Sequence, residues 1–187
     1  MPTIQTDFLP IGTPLPTFRL KDPERGTEFA SRDLPPTPGL LVMVICNHCP
    51  YVVHLRSQFG PFAARYAARG IQSFAVSAND PLAYPEDAPP RLAAVAREMG
   101  FGFPYLYDDS QAFVRALRAV CTPEFYLFDG KRHLYYHGRF DGSSPGNGKP
   151  VTGEDLAAAI ESLLGGAPPP ARQQPAMGCS IKWRSGD

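Results

Sequence analysis

Residues 42–56, VMVICNHCPYVVHLR, carry an apolar run into a helical pattern across two cysteines three positions apart. The run itself, LLVMVI at 40–45, is continuous and bounded by turn residues, which predicts a central strand covered on both faces. Beyond Pro50 the apolar residues Val52, Leu55, Phe59, Phe62, Ala63 and Tyr66 recur at spacings of three and four, with Arg56, Gln58 and Arg65 between them. A helix facing the sheet should follow. Gly60-Pro61 is expected to kink or break it, because Pro61 has no amide hydrogen to donate. Cys46 and Cys49 thus stand at a strand-to-helix junction.

Upstream, FRLKDPERGTEFASRDL alternates apolar and polar positions around PERG, the pattern of a hairpin. Downstream, IQSFAVSAND at 71–80 predicts a second strand, and PEDAPPRLAAVAREMG a helix stopped by Gly100. FPYLYDDS reads as a short strand and SQAFVRALRAV as a helix. Next come a hairpin turning at Asp129-Gly130 in EFYLFDGKRHLYYHGRF and a last helix in TGEDLAAAIESLLGG, with Thr152 as its expected amino-terminal cap. Strands alternating with helices, then a hairpin and a helix, predict an α/β fold with a mixed central sheet flanked by helices and an N-terminal hairpin. Residues 1–166 form the expected domain, and 167–187 an extended, proline-rich C-terminal tail. The chain's one tryptophan, Trp183, lies in that tail, which is therefore expected to pack back on the body.

A chain of 187 residues can bury a full core without staples. Lys+Arg and Asp+Glu both number 18, so no net field exists to attract nucleic acid or an anionic membrane, and neither is an expected partner. No stretch approaches the roughly 18 apolar residues of a membrane span, and the start lacks a signal-peptide pattern, so a cytoplasmic location is expected. Four cysteines in such a setting suggest redox catalysis, metal binding or inert burial.

Helix-end amides and the helix dipole stabilise a thiolate, so Cys46 is expected to titrate below the free value of about 8.5 and to act as the nucleophile. Cys49, one helical turn on, is placed to resolve a mixed disulfide. His48 between them favours thiolate over disulfide when protonated. Two readings compete: a pair of small buried apolar residues, or a metal site. The latter needs further ligands, for which Cys121, Cys179, His48 and His54 are the candidates. Asp80, Glu86 and Asp87 form a polar loop that either takes the resolving thiol's proton or, more simply, is solvated. His133 and His137, on one face of a predicted strand but about 13 Å apart along it, are read as surface or interface residues. DGSSPGNG is neither a phosphate loop nor a dinucleotide fingerprint, so no cofactor is expected.

Taken in order, FRLKDPERGTEFASRDL, CNHCPYV, SANDPLAYPEDAPP, FPYLYD, CTPEFYLFD, GNGKPVTGEDL and GCSIKW span nearly the whole chain. They resemble the thioredoxin-like redoxin family, in its alkyl hydroperoxide reductase/thiol-specific antioxidant-like branch of bacterial thiol-disulfide oxidoreductases. The resemblance implies a thioredoxin-like fold with a cis-proline loop at Pro123, where Thr122 offers backbone groups to substrate. Ile45 and Asn47-His48 stand where thioredoxins usually have Trp and Gly-Pro, so Asn47, His48 and Pro50 are expected to tune the site. CNHCP also resembles the peroxiredoxin Thr-x-x-Cys with Cys46 in place of the threonine, which would make Cys49 the peroxidatic residue and Arg139 its candidate arginine.

The expected function is thus a thiol-disulfide oxidoreductase cycling Cys46 and Cys49. A peroxidase using Cys49 and a non-enzymatic metal-binding protein of the same fold are the alternatives. Expected partners are a disulfide-containing protein or a small thiol or peroxide, and a thiol reductant. The chain itself is expected to be a monomer or weak dimer. Cys121 and Cys179 are further candidate redox residues, the latter by exchange with Cys46.

Overall fold

The computed structural model describes residues 3–184, so the last three residues of the predicted tail and the first two of the chain lie outside the described part. Ten strands and five helices alternate along it: β1 (Thr3–Gln5), β2 (Arg19–Asp22), β3 (Thr27–Ala30), β4 (Gly39–Val44), α1 (Pro50–Leu55), α2 (Phe59–Ala67), β5 (Ile71–Ser77), α3 (Pro89–Glu98), β6 (Tyr105–Tyr107), α4 (Ala112–Ala116), β7 (Cys121–Thr122), β8 (Glu124–Asp129), β9 (Leu134–Gly138), α5 (Glu154–Leu164) and β10 (Met177–Ser180). Seven strands make one sheet in the order β3-β2-β6-β5-β4-β8-β9. In it β4 runs parallel to β5 and antiparallel to β8. A second, three-stranded sheet has the order β1-β10-β7. No helix among the described residues is long and apolar enough to cross a membrane.

The unbroken apolar run of β4 feeds two cores. Leu41, Met43 and Ile45 pack with α1, α2 and α5 on one face, whereas Leu40, Val42 and Val44 pack with Phe18, Phe74, Phe113 and Tyr126 on the other. Successive side chains of a strand point to opposite faces, so a strand covered on both sides must be apolar at every position. Each such side chain contributes about 1.5–3 kcal/mol by burial, and together they fix the strand whose carboxyl end carries Cys46.

Three local features depart from expectation. The helical break lies at 56–58, a single 3-10 turn, one turn before Gly60-Pro61. Pro61 sits in the first turn of α2, where a missing amide hydrogen costs little. The cap position of α5 is Gly153, at φ 68°, where a Cβ would strike Phe140; Thr152 stands one residue earlier, and its hydroxyl accepts the first helical amide, that of Glu154, at 3.3 Å. The Asp141 carboxylate accepts the Thr152 and Gly153 amides, each at 2.7 Å, and so fixes the turn that leads into the helix. His137 is not a surface residue. β9 begins after His133, which is exposed in the turn, and a register shift between Leu127 and Phe128 accompanies that turn. His137 is wholly buried, stacked on Tyr126, with Nδ1 accepting the Leu9 amide and Nε2 donating to Glu124 at 2.9 Å.

After α5 the chain returns across the molecule. β10 lies antiparallel between β1 and β7, with Cys179 opposite both Thr3 and Thr122. Arg115 stacks its guanidinium on the Trp183 ring, 4.3 Å from the centroid.

Candidate active site

The cysteine pair sits where β4 delivers the chain into α1. Ile45 still bonds to β5 through its amide, so Cys46 is the first residue free of the sheet. Cys49 is the residue preceding the first turn of α1, and Pro50 occupies the first helical position, where proline's fixed φ suits a helix start. Both cysteines are buried, as is Thr122 of β7. The Thr122–Pro123 peptide is cis. Thr122 touches both sulfurs: its hydroxyl lies 3.3 Å from Cys46 Sγ, and its carbonyl accepts from the Cys49 thiol at 3.1 Å.

The charge falls on the opposite sulfur from that expected. Cys49 is held far below an ordinary thiol, at about 4. Hydrogen bonding from Cys46 is the largest influence; burial opposes it, and the Cys179 thiol and the amides of Val52 and Cys179 reinforce it. Cys46 is pushed well up, first by burial, then by its bond to Cys49 and by the charge of Asp87. Cys49 stands at the helix start and gathers these donors, whereas Cys46 lies a turn away and faces a carboxylate. Ionised, Cys49 gives up its bond to the Thr122 carbonyl in exchange for four donors.

Asp87 does not belong to a solvated loop, the simpler expectation for the segment. It is fully buried, because its oxygens are saturated by donors from the site: the Asn47 amide at 2.6 Å, His48 Nδ1 at 2.6 Å and Asn79 Nδ2 at 2.7 Å. Burial works to raise the Asp87 carboxyl, but these bonds outweigh it and hold it below its ordinary value. His48 is raised, chiefly by its bond to Asp87, with burial in partial opposition. Tyr84 stacks on the His48 ring at 4.7 Å. Since Nδ1 donates to the carboxylate, Nε2 carries the lone pair of the neutral ring, and it is buried without a partner. Asn47 is further tied by its side chain to the Glu86 carbonyl and the Tyr105 hydroxyl.

Cys46, His48 and Asp87 present ligand atoms within 4.8 Å of one another, the one such group of three among the described residues. These residues, and not Cys121, Cys179 or His54, are the ones that could hold a metal. His54 is bonded to Ser143 at 2.7 Å. The trio is one donor short of a closed zinc site, and its His–Asp contact is already satisfied by a proton. Cys121 is buried in β7 with its thiol pushed strongly up by burial and by Glu124. Arg139 is committed to Asp155 at 2.6 Å. It lines a cavity of about 80 Å³ with Tyr51, Leu55, Pro123, Asn147 and Met177.

Sequence reasoning named the cysteines, His48, Thr122 and Pro123, but missed Asn79, Tyr84 and Lys182. The Lys182 amide donates to Asn79 Oδ1 at 2.8 Å, linking the tail to Asp87 through one side chain. A usable signal existed: loops leaving the carboxyl ends of adjacent parallel strands converge, and β4 and β5 are such a pair.

A cysteine pair at the end of the central strand, facing a cis proline across a mixed sheet of this order, defines a thioredoxin-like protein. The chain belongs to the AhpC/TSA family, whose model matches residues 11–137. It is similar over its full length to an uncharacterized conserved protein from Geobacillus kaustophilus, at 41% identity and TM-score 0.96, covering 99% of that chain. A hypothetical protein from Sinorhizobium meliloti 1021 is 43% identical at TM-score 0.94, over 97% of this chain and 99% of its own. The thioredoxin domain of a thiol-disulfide oxidoreductase from Bacteroides vulgatus shares the fold at 16% identity and TM-score 0.59, over 84% of this chain and 99% of that one. No curated protein sequence matches. Family membership supports a redox function in general terms.

Proposed function

We propose that the protein is a thiol-disulfide oxidoreductase that cycles Cys46 and Cys49 between dithiol and disulfide. Cys49 is the attacking sulfur and Cys46 the one that closes the bond. The observation that carries this reading is the shared contact of both sulfurs with Thr122, together with a histidine–carboxylate pair beside Cys46.

In the resting dithiol the Cys49 thiolate attacks one sulfur of a substrate disulfide. A Cys49–substrate bond forms, the substrate S–S bond breaks, and the other half leaves as a thiolate. Cys46 then loses its proton to the neighbouring His48, whose cation Asp87 stabilises, and attacks the Cys49 sulfur. The second half of the substrate leaves and takes up that proton. An external thiol reductant restores the dithiol by the same steps reversed. Pro123 and Tyr51 form the wall against which the departing group rests, beside the small cavity.

A second reading, thiol peroxidase, is favoured by the burial of a low-lying Cys49 thiolate that a small oxidant reaches most easily. The engagement of Arg139 with Asp155 counts against it. The deciding experiment follows Cys46→Ser and Cys49→Ser with a small aromatic disulfide and with hydrogen peroxide. The exchange reading expects Cys46→Ser to form a mixed disulfide on Cys49 as its first product, and Cys49→Ser to lose rapid reaction. Sulfenic acid on Cys49 forming faster than the mixed disulfide makes the protein a peroxidase. Rapid reaction of Cys49→Ser through Cys46 refutes the assignment of the attacking sulfur.

A further inference from the structure

The geometry points to Cys179 as a third redox cysteine, which takes over the bond to Cys49 and so turns the pair into a three-sulfur relay. This rests on the Cys46–Cys49 cycle and extends it to the tail.

Three observations converge on Cys179. It occupies the register position directly opposite Thr122, the residue that touches both sulfurs of the pair. The Cys179 thiol and amide help to hold Cys49 low, and burial together with that proximity raises the Cys179 thiol to about 11, so it keeps its proton while the pair is reduced. Cys46, Cys49 and Cys179 belong to one buried apolar cluster, and α1 packs directly on β10. The partner this selects is Cys49, not the Cys46 expected from the sequence. Cys121 is the contrast: equally buried in the neighbouring strand, it has no hydrogen-bond contact with the pair.

The strand is held in place firmly enough for this to be a built arrangement. A Cβ at Gly178 would lie 2.0 Å from the Thr122 carbonyl oxygen, so the backbone of β10 approaches the cis-proline loop as only glycine permits. On the other side β1 completes the sheet, and Lys182 ties the following residues to Asn79.

The step is thiol-disulfide exchange and needs no added oxidant. In the oxidised protein Cys179 loses its proton and attacks Cys49 Sγ. The Cys49–Cys179 bond forms as the Cys46–Cys49 bond breaks, and the electron pair leaves on Cys46, which takes up a proton. The number of disulfides is unchanged. The consequence is that the tail strand becomes covalently tied to α1 while Cys46 is freed beside His48.

The test uses the full chain oxidised with one equivalent of oxidised glutathione, quenched in acid, alkylated and mapped by peptide mass. The relay expects Cys46–Cys49 and Cys49–Cys179 linkages together in the wild type. It also expects Cys46→Ser to release its glutathione and carry Cys49–Cys179, with Cys121 alkylated throughout. A wild type with only Cys46–Cys49, and a Cys46→Ser protein that keeps glutathione on Cys49 with Cys179 alkylated, overturn the relay and leave the pair's cycle standing. A wild type with neither linkage overturns both.

Discussion

His48 donates its Nδ1 proton to the buried carboxylate of Asp87 across 2.6 Å, although the two residues lie 39 positions apart in the chain. The bond joins the loop after β4 to the loop after β5 and sets a base beside Cys46, the sulfur with the raised pKa. Thiol chemistry at this junction therefore divides between the two cysteines. Cys49 is held low by thiol donors and by the amides of Val52 and Cys179, whereas Cys46 is held high by burial, by its bond to Cys49 and by the charge of Asp87.

Asp87→Asn should slow the closing of the Cys46–Cys49 bond by about 100-fold, the lower range for loss of general base assistance. Initial attack by Cys49 should change far less. Stopped-flow mixing with a chromogenic disulfide separates the two phases. Equal slowing of both would make Asp87 a structural anchor only.

The same pair gives stability a pH window. Asp87 has a folded pKa below its ordinary 3.8, so its contribution is complete above that value and is lost as the pH falls through the lower one. His48 is raised above 6.5, so its contribution is complete below 6.5 and is lost as the pH rises through the higher one. Urea unfolding of wild type and Asp87→Asn should show the widest gap between pH 3.8 and 6.5, narrowing on both sides. A gap independent of pH would contradict this.

Glu124 holds the strand behind the cis proline. It accepts from His137 Nε2 at 2.9 Å and from the Val120 amide at 3.1 Å, with the Glu124 and His137 side chains both wholly buried. Glu124→Ala leaves those buried donors unpaired and should cost about 1–3 kcal/mol. Chemical denaturation measures it.

Gly178→Ala would press a methyl group against the Thr122 carbonyl. A cost of about 1–3 kcal/mol from overpacking is expected. Displacing β10 withdraws the Cys179 donors from Cys49, so the pH midpoint for Cys49 alkylation should move up from about 4. An unmoved midpoint would show that β10 does not tune the thiolate.

The fold was largely legible because its signals are local. The run 40–45 has the composition of a strand buried on both faces, and the spacing from Val52 to Tyr66 is helical. What escaped depends on packing. Nothing near Pro61 in sequence indicates that the break comes a turn earlier. Asp141, which fixes the turn into α5, stands twelve residues before Gly153. In the site, the cysteines and the cis-proline loop carry short motifs, but the charge of Cys49 arises from Cys46, Cys179 and Val52 together, and Cys179 is 130 residues away. Asp87 reads as loop because neither carboxylate of YPED, Glu86 or Asp87, announces three donors.

The Cys46–Cys49 cycle is read out by equilibrating the protein in glutathione redox buffers of graded potential, quenching in acid, and mapping each cysteine. It predicts that Cys49 passes from free thiol into an intramolecular disulfide shared with Cys46, in a single two-electron titration. Thiols that remain free across the whole range, or glutathione adducts that accumulate without any intramolecular linkage, would contradict it.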